Sequence, residues 1–116
     1  MSALEKLKGK KIESVEKTQY SEKVRIKTTE GDLILWHDQS CCEDVHLAEG
    51  YEDLKDLVGS TVRKAHKATS DKDARYGIEM WTFYITRTDK GDATLRWVGT
   101  SNGYYAVDVS EKWEDA

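Results

Sequence analysis

The sequence predicts an α+β fold, predominantly antiparallel β-sheet with two short helices, arranged as an internal helix–three-strand–loop–strand duplication. Three observations lead there. Residues 22–29 and 78–88 alternate apolar or β-branched residues with polar ones, the period of a half-buried strand. Proline is absent, so turns fall to Gly, Asn and Asp, as in Glu30-Gly31-Asp32, Lys90-Gly91-Asp92 and Asn102-Gly103. The chain also repeats itself. Leu4, Leu7 and Gly9 match Leu54, Leu57 and Gly59 at an offset of fifty, and Ile12/Val62 and Val15/Ala65 keep the apolar positions. Gly31-Asp32-Leu33-Ile34-Leu35 then faces Gly91-Asp92-Ala93-Thr94-Leu95 at an offset of sixty, and after one inserted residue Trp36 faces Trp97 and Ser40 faces Ser101.

Element by element, Leu4, Leu7 and the closing Gly9 predict a short helix with a glycine stop. Residues 11–20 read as a strand with Ile12 and Val15 inward, a spacing of three that demands an irregularity. Residues 22–29 place Val24, Ile26 and Thr28 on one face, and residues 33–37 form the continuous apolar run of a central strand. Residues 44–47 suggest a short fourth strand. The second half replays this order. Residues 51–58 predict a helix burying Leu54, Leu57 and Val58, residues 61–69 a strand, and the Asp- and Lys-rich residues 70–76 a loop. Residues 78–88 set Trp81, Phe83 and Ile85 against Thr82, Tyr84 and Thr86. Residues 93–98 and 105–109 complete the set of strands, Trp113 packs back on the core, and the acidic tail is expected to fray. The whole is one domain, 1–116, with pseudo-repeats at about 3–48 and 51–110.

Composition narrows the function. A net charge of −4 with well-mixed signs offers no basic stripe for direct nucleic-acid binding. No apolar run approaches the ~18 residues of a membrane span, and the N-terminus lacks a secretory apolar core, so a cytoplasmic protein is expected. Four Trp and six Tyr exceed what so small a core needs, which points to aromatic rings at a ligand surface or an interface between copies in a homo-oligomer.

Two loops carry the candidate chemistry. Ser40-Cys41-Cys42-Glu43 holds two adjacent cysteines, whose bridging would strain the intervening peptide. With His37 and His46 they offer zinc-type nitrogen and sulfur ligands, although neighbouring cysteines on an extended chain point apart. The competing reading is one cysteine in the core and one at the surface. A cysteine nucleophile would need a base and an oxyanion cradle; His37 or His46 with Glu43 could supply the first, and nothing marks the second. No catalytic residue and no cofactor are therefore assigned. The other loop is a recognition element. Ser101 and Asn102 offer a hydroxyl and an amide, Tyr104 and Tyr105 offer ring faces, and Arg96 and Trp97 precede them. A plain hairpin turn would also account for Asn102-Gly103.

His37-Asp38-Gln39-Ser40-Cys41-Cys42-Glu43, Trp81-Thr82-Phe83-Tyr84 and Ser101-Asn102-Gly103-Tyr104-Tyr105 resemble signature segments of a family of small bacteriophage and prophage proteins, over residues 12–109. The resemblance brings no established activity with it. It implies a viral setting, in which proteins of this size often antagonise host defence. The expectation is a non-catalytic binding protein, acting in the host cytoplasm, that sequesters a nucleotide-derived signal. Its ligand residues would be His37, Gln39, Cys42, Glu43, Trp81, Arg96, Trp97, Ser101, Asn102, Tyr104 and Tyr105. A protein-directed inhibitor or adaptor of a host defence protein, and a small zinc protein, are the alternatives.

Overall fold

Three strands in each half of the chain run as an antiparallel meander, and each meander is closed by a strand from the other half. The computed structural model describes residues 3–19, 22–38, 43–74, 77–101 and 108–115, with Glu43 and residues 71–78 described by backbone alone. The strands are β1 (Ile12–Lys17), β2 (Lys23–Thr28), β3 (Gly31–Trp36), β4 (Glu43–Glu49), β5 (Val62–Ala74), β6 (Gly77–Thr88), β7 (Gly91–Ser101) and β8 (Ser110–Asp115). The first sheet has the order β1-β2-β3-β8 and the second β4-β7-β6-β5. So β4 leaves the first half to pair with β7, and β8 leaves the second half to pair with β3.

Alternation sets the inward faces. Val24, Ile26, Leu33 and Leu35 of the first sheet and Val45, Tyr84, Leu95 and Trp97 of the second belong to one buried cluster. On β6 the buried face is Thr82, Tyr84, Thr86 and Thr88, so Trp81, Phe83 and Ile85 lie on the outward side, half-buried. β1 and β5 each carry a register shift after their first buried residue, between Ile12 and Ser14 and between Val62 and Lys64. That bulge is what lets both Ile12 and Val15 face the core.

Reciprocal backbone bonds join the two sheets where β1 and β5 begin. Gly9 N donates to Val62 O and Gly59 N to Ile12 O, both at 2.8 Å. Val62 N donates to Lys10 O and Ile12 N to Ser60 O, both at 2.9 Å, around the bridge between Lys11 and Thr61. Gly9 and Gly59 share the left-handed backbone (φ 84° and 94°) that lets the chain turn into these bonds.

Several expectations are corrected. The first short helix is a single 3-10 turn, Leu4–Leu7, and the second is the five-residue α1 (Tyr51–Lys55). Both bury their leucines, which is what the Leu-x-x-Leu spacing requires. Val58, expected in the core, is 38 % exposed because the helix ends before it. The expected loop at 70–76 is mostly strand, since β5 continues to Ala74 opposite Gly77. Lys and Asp are compatible with β5 because it is an edge strand. The acidic tail does not fray: Ser110–Asp115 pairs along all of β3, with Trp113 opposite Leu33. The predicted strand at 105–109 falls largely on residues outside those described.

Candidate functional site

Two connections cross between the sheets in opposite directions, one from Trp36 to Glu43 and one from Ser101 to Ser110. Their roots are tied at both ends. Glu43 is the register partner of Ser101. At the other root His37 Nδ1 lies 2.8 Å from Asp108 O. A carbonyl oxygen only accepts, so Nδ1 carries the proton and donates, which assigns the tautomer of the neutral ring. The expected loop residues Gln39, Ser40, Cys41, Cys42, Asn102, Tyr104 and Tyr105 lie outside the described residues, and Glu43 is described by its backbone.

Midway along β6, the outward face of the second sheet presents a row of rings. Trp81 and Phe83 lie nearly parallel, with centroids 6.4 Å apart and an interplanar angle of 11°. Trp81 is anchored by its Nε1, which donates to Glu79 Oε1 at 2.8 Å. Arg96 is directly across from Phe83, and Val98 across from Trp81, on β7. On the far side of β7, Arg96 meets Glu49 at 3.4 Å, an exposed pair whose worth is about 0–1 kcal/mol. His46 shares that outward face, opposite Val98, and contacts Asp44 Oδ1 at 3.3 Å. Among the described residues no group of three or more His, Cys, Asp and Glu is placed to hold a metal.

Trp97, expected as a stacking ring, sits elsewhere. It is 1 % exposed and faces Thr82 and Leu47 across the inner side of the sheet, so its ring has no open face for a ligand. Strand parity explains this: Arg96 faces outward, so its neighbour Trp97 must face inward. The Trp97 Nε1 and Tyr84 hydroxyl are buried without a hydrogen-bond partner. Burial, followed by the carboxylates of Glu111 and Asp108, pushes the Tyr84 phenol above its ordinary pKa. Phe83 completes the ring pair and was not singled out from sequence. Its position two residues from Trp81 on a strand was the available signal, since i and i+2 share a face.

A second feature lies on the outward face of the first sheet. A hollow of about 320 Å³ opens there, lined by Trp36 and His37 and by Thr18, Glu22 and Lys23 at the adjoining ends of β1 and β2. The Glu22 Oε2 is buried and has no hydrogen-bond partner. Sequence reasoning overlooked Glu22 because a lone glutamate at a strand start carries no pattern.

The fold defines a small antiparallel β protein of two sheets that exchange their closing strands. A family model described as a domain of unknown function (DUF7448) matches residues 5–110, and the chain belongs to that family. No curated protein and no solved structure matches it. Among the described residues no helix is long and apolar enough to cross a membrane.

Proposed function

We propose that this is a phage-encoded, non-catalytic binding protein that antagonises host antiviral defence by sequestering a nucleotide-derived signal in the host cytoplasm. The observation that supports it best is the Trp81–Phe83 ring pair with Arg96 across from Phe83, midway along β6 and β7. A base stacks on an aromatic face with about 1–3 kcal/mol per ring, whatever its identity. A guanidinium directly across from Phe83 is suited to a phosphate oxygen, with its fork of donors. Ser101 lies on the same strand but has the parity of Trp97, so its hydroxyl is not part of this outward face. Capture requires tight convergence of such groups and no general acid or nucleophile. The viral setting rests on the resemblance of the Cys41-Cys42 and Tyr104-Tyr105 segments.

The reading includes an internal duplication. The reciprocal bonds of Gly9 and Gly59 to Val62 and Ile12, and the matching bulges of β1 and β5, support it. It also includes a homo-oligomer in which some of the outward rings meet a second copy.

Native mass spectrometry of protein purified from phage-infected cells should show a bound nucleotide. Titration with cyclic nucleotides and ADP-ribose derivatives should give saturable binding that Trp81→Ala and Arg96→Ala each weaken at least about tenfold, the ~1.4 kcal/mol of one good contact. A clean apo mass together with no binding to any of these ligands sinks the proposal. The half-buried ring row would equally anchor a protein partner. If the protein instead brings down one stoichiometric host protein, and Trp81→Ala abolishes that capture, the protein-directed inhibitor replaces the sponge.

A further inference from the structure

The hollow beside Trp36 lies on the other sheet from the ring row, and its chemistry is more selective. The geometry points to a binding site there for the base and phosphate of a guanine nucleotide. This deepens the nucleotide-capture reading, rests on it for the ligand class alone, and uses different residues.

The argument begins with Glu22. A carboxylate oxygen withdrawn from water without a donor is unfavourable. Glu22 Oε2 is in that condition at the wall of the hollow. Its backbone carbonyl accepts from His37 N at 3.3 Å, so the residue is fixed to the root of the crossing connection rather than swinging on a free turn. An ionised carboxylate only accepts, so the missing partner is an N–H or O–H donor brought by a ligand.

The surroundings say what kind. Trp36, half-buried, and Ile34, 4 % exposed, line the same outward face of β3, giving an indole and an apolar floor for a planar ring. Lys23 is the register partner of Trp36 on one neighbouring strand, and Lys112 is the register partner of Ile34 on the other. Two ammonium groups therefore flank the ring floor, where an anion would meet them in competition with Asp38 and with Glu114, which lies 4.0 Å from Lys112 Nζ. A planar ring, a donor edge and an anionic group are together the description of a guanine nucleotide. Guanine presents its N1–H and N2 amino donors side by side, which a carboxylate accepts in pairs. Adenine places an acceptor beside its amino group, and Glu22 would repel it. A volume of about 320 Å³ lies at the small end of ligand pockets, where a mononucleotide belongs.

Guanosine and adenosine 5′-monophosphates, titrated into the full chain and read by calorimetry and tryptophan fluorescence, test this. The expected result is saturable binding of the guanine nucleotide, at least tenfold tighter than the adenine one. Glu22→Gln should remove that preference. Trp36→Leu should abolish binding, and Lys112→Ala should make guanosine and its monophosphate bind alike. Glu52→Gln, on α1 away from both faces, should change nothing. Circular dichroism melts of each variant separate lost binding from lost fold. No guanine binding, or guanine binding that Glu22→Gln leaves untouched, overturns this site. If binding of another nucleotide is then lost in Trp81→Ala, the ring row survives as the capture site while the hollow does not. If no nucleotide binds at all, both readings fall.

Discussion

Thr28 and Thr88 close their hairpins with the same pair of hydrogen bonds. Each Oγ1 donates to the carbonyl of the glycine three residues on, at 2.6 Å to Gly31 and 2.7 Å to Gly91. Each also accepts from the N–H two residues on, at 3.2 Å from Glu30 and 3.1 Å from Lys90. Both threonines are buried, so these backbone groups have little water to replace a lost hydroxyl. Thr28→Val and Thr88→Val keep the shape and strand propensity and remove both bonds. Each should lower stability in urea denaturation by about 1–3 kcal/mol, the cost of stranding a buried polar group. Because the geometries match, the two losses should agree within about 0.5 kcal/mol and add in the double variant. A loss in one hairpin alone would mean that the likeness of the two turns is superficial.

Gly50 and Gly9 make a contrasting pair. Both have positive φ, 101° and 84°, which a Cβ resists by roughly 1–2 kcal/mol. A Cβ at Gly9 would meet open space, whereas one at Gly50 would fall on the Thr94 carbonyl of β7. Gly50 sits between β4 and α1, so its close approach seats the helix against β7. Gly9→Ala should therefore cost about 1 kcal/mol, and Gly50→Ala more than about 3, enough to unfold a marginal domain. Thermal melts compare them directly. Equal shifts at the two positions would deny the close approach.

Glu49 holds the Arg96 guanidinium at 3.4 Å, so any phosphate arriving at the ring row competes with a carboxylate. An exposed pair of this kind contributes at most about 1 kcal/mol. Glu49→Gln should then tighten nucleotide binding by up to about fivefold, where Arg96→Ala weakens it. Tighter binding at low salt, fading as salt screens the charge, would mark the effect as electrostatic. Unchanged affinity in Glu49→Gln would argue that Arg96 does not meet the ligand.

Strand alternation made β2 and β6 readable, because one face of each is buried and the period of two follows; β3 was readable from its unbroken apolar run, with Leu33, Ile34 and Leu35 all buried. The Ile12–Val15 spacing even announced the bulge. What stayed hidden were elements whose residues obey another constraint. β8 reads as an acidic tail because it is an edge strand held mainly by backbone bonds to β3 and by Trp113. The far half of β5 reads as a loop for the same reason. Strand exchange between the halves was invisible, since pairing partners leave no periodic trace. At the site, proximity of the loop roots depends on that exchange and so could only be expected from the repeat. The misplacement of Trp97 is different: Arg96 and Trp97 are neighbours on the expected strand 93–98, so parity alone puts them on opposite faces. Glu22 and the Trp36 hollow depend on three strands and a turn meeting, which no local pattern records.

Tyr84 gives the fold a dependence on alkaline pH. Its ring is 1 % exposed, its hydroxyl has no hydrogen-bond partner, and Lys67 Nζ lies 5.8 Å from the ring centroid. Burial is the largest reason its pKa is raised, and Glu111 and Asp108 add to it by disfavouring a phenolate. The unfolded chain releases this proton near pH 10, the ordinary tyrosine value. Above that pH the folded protein holds a proton that the unfolded one has lost, so unfolding is favoured as pH rises. The contribution is fully present below about pH 10 and is lost progressively toward the raised folded value. Tyr84→Phe removes the titrating group and an unpaired buried donor together. At neutral pH it should match wild type or gain up to about 1 kcal/mol, since no bond is broken. Urea midpoints followed from neutral pH to about pH 11 should fall more steeply for wild type than for the variant once the ordinary tyrosine pKa is passed. Parallel curves would mean that the Tyr84 hydroxyl reaches solvent or an acceptor in solution, and that its burial is not what the packing implies.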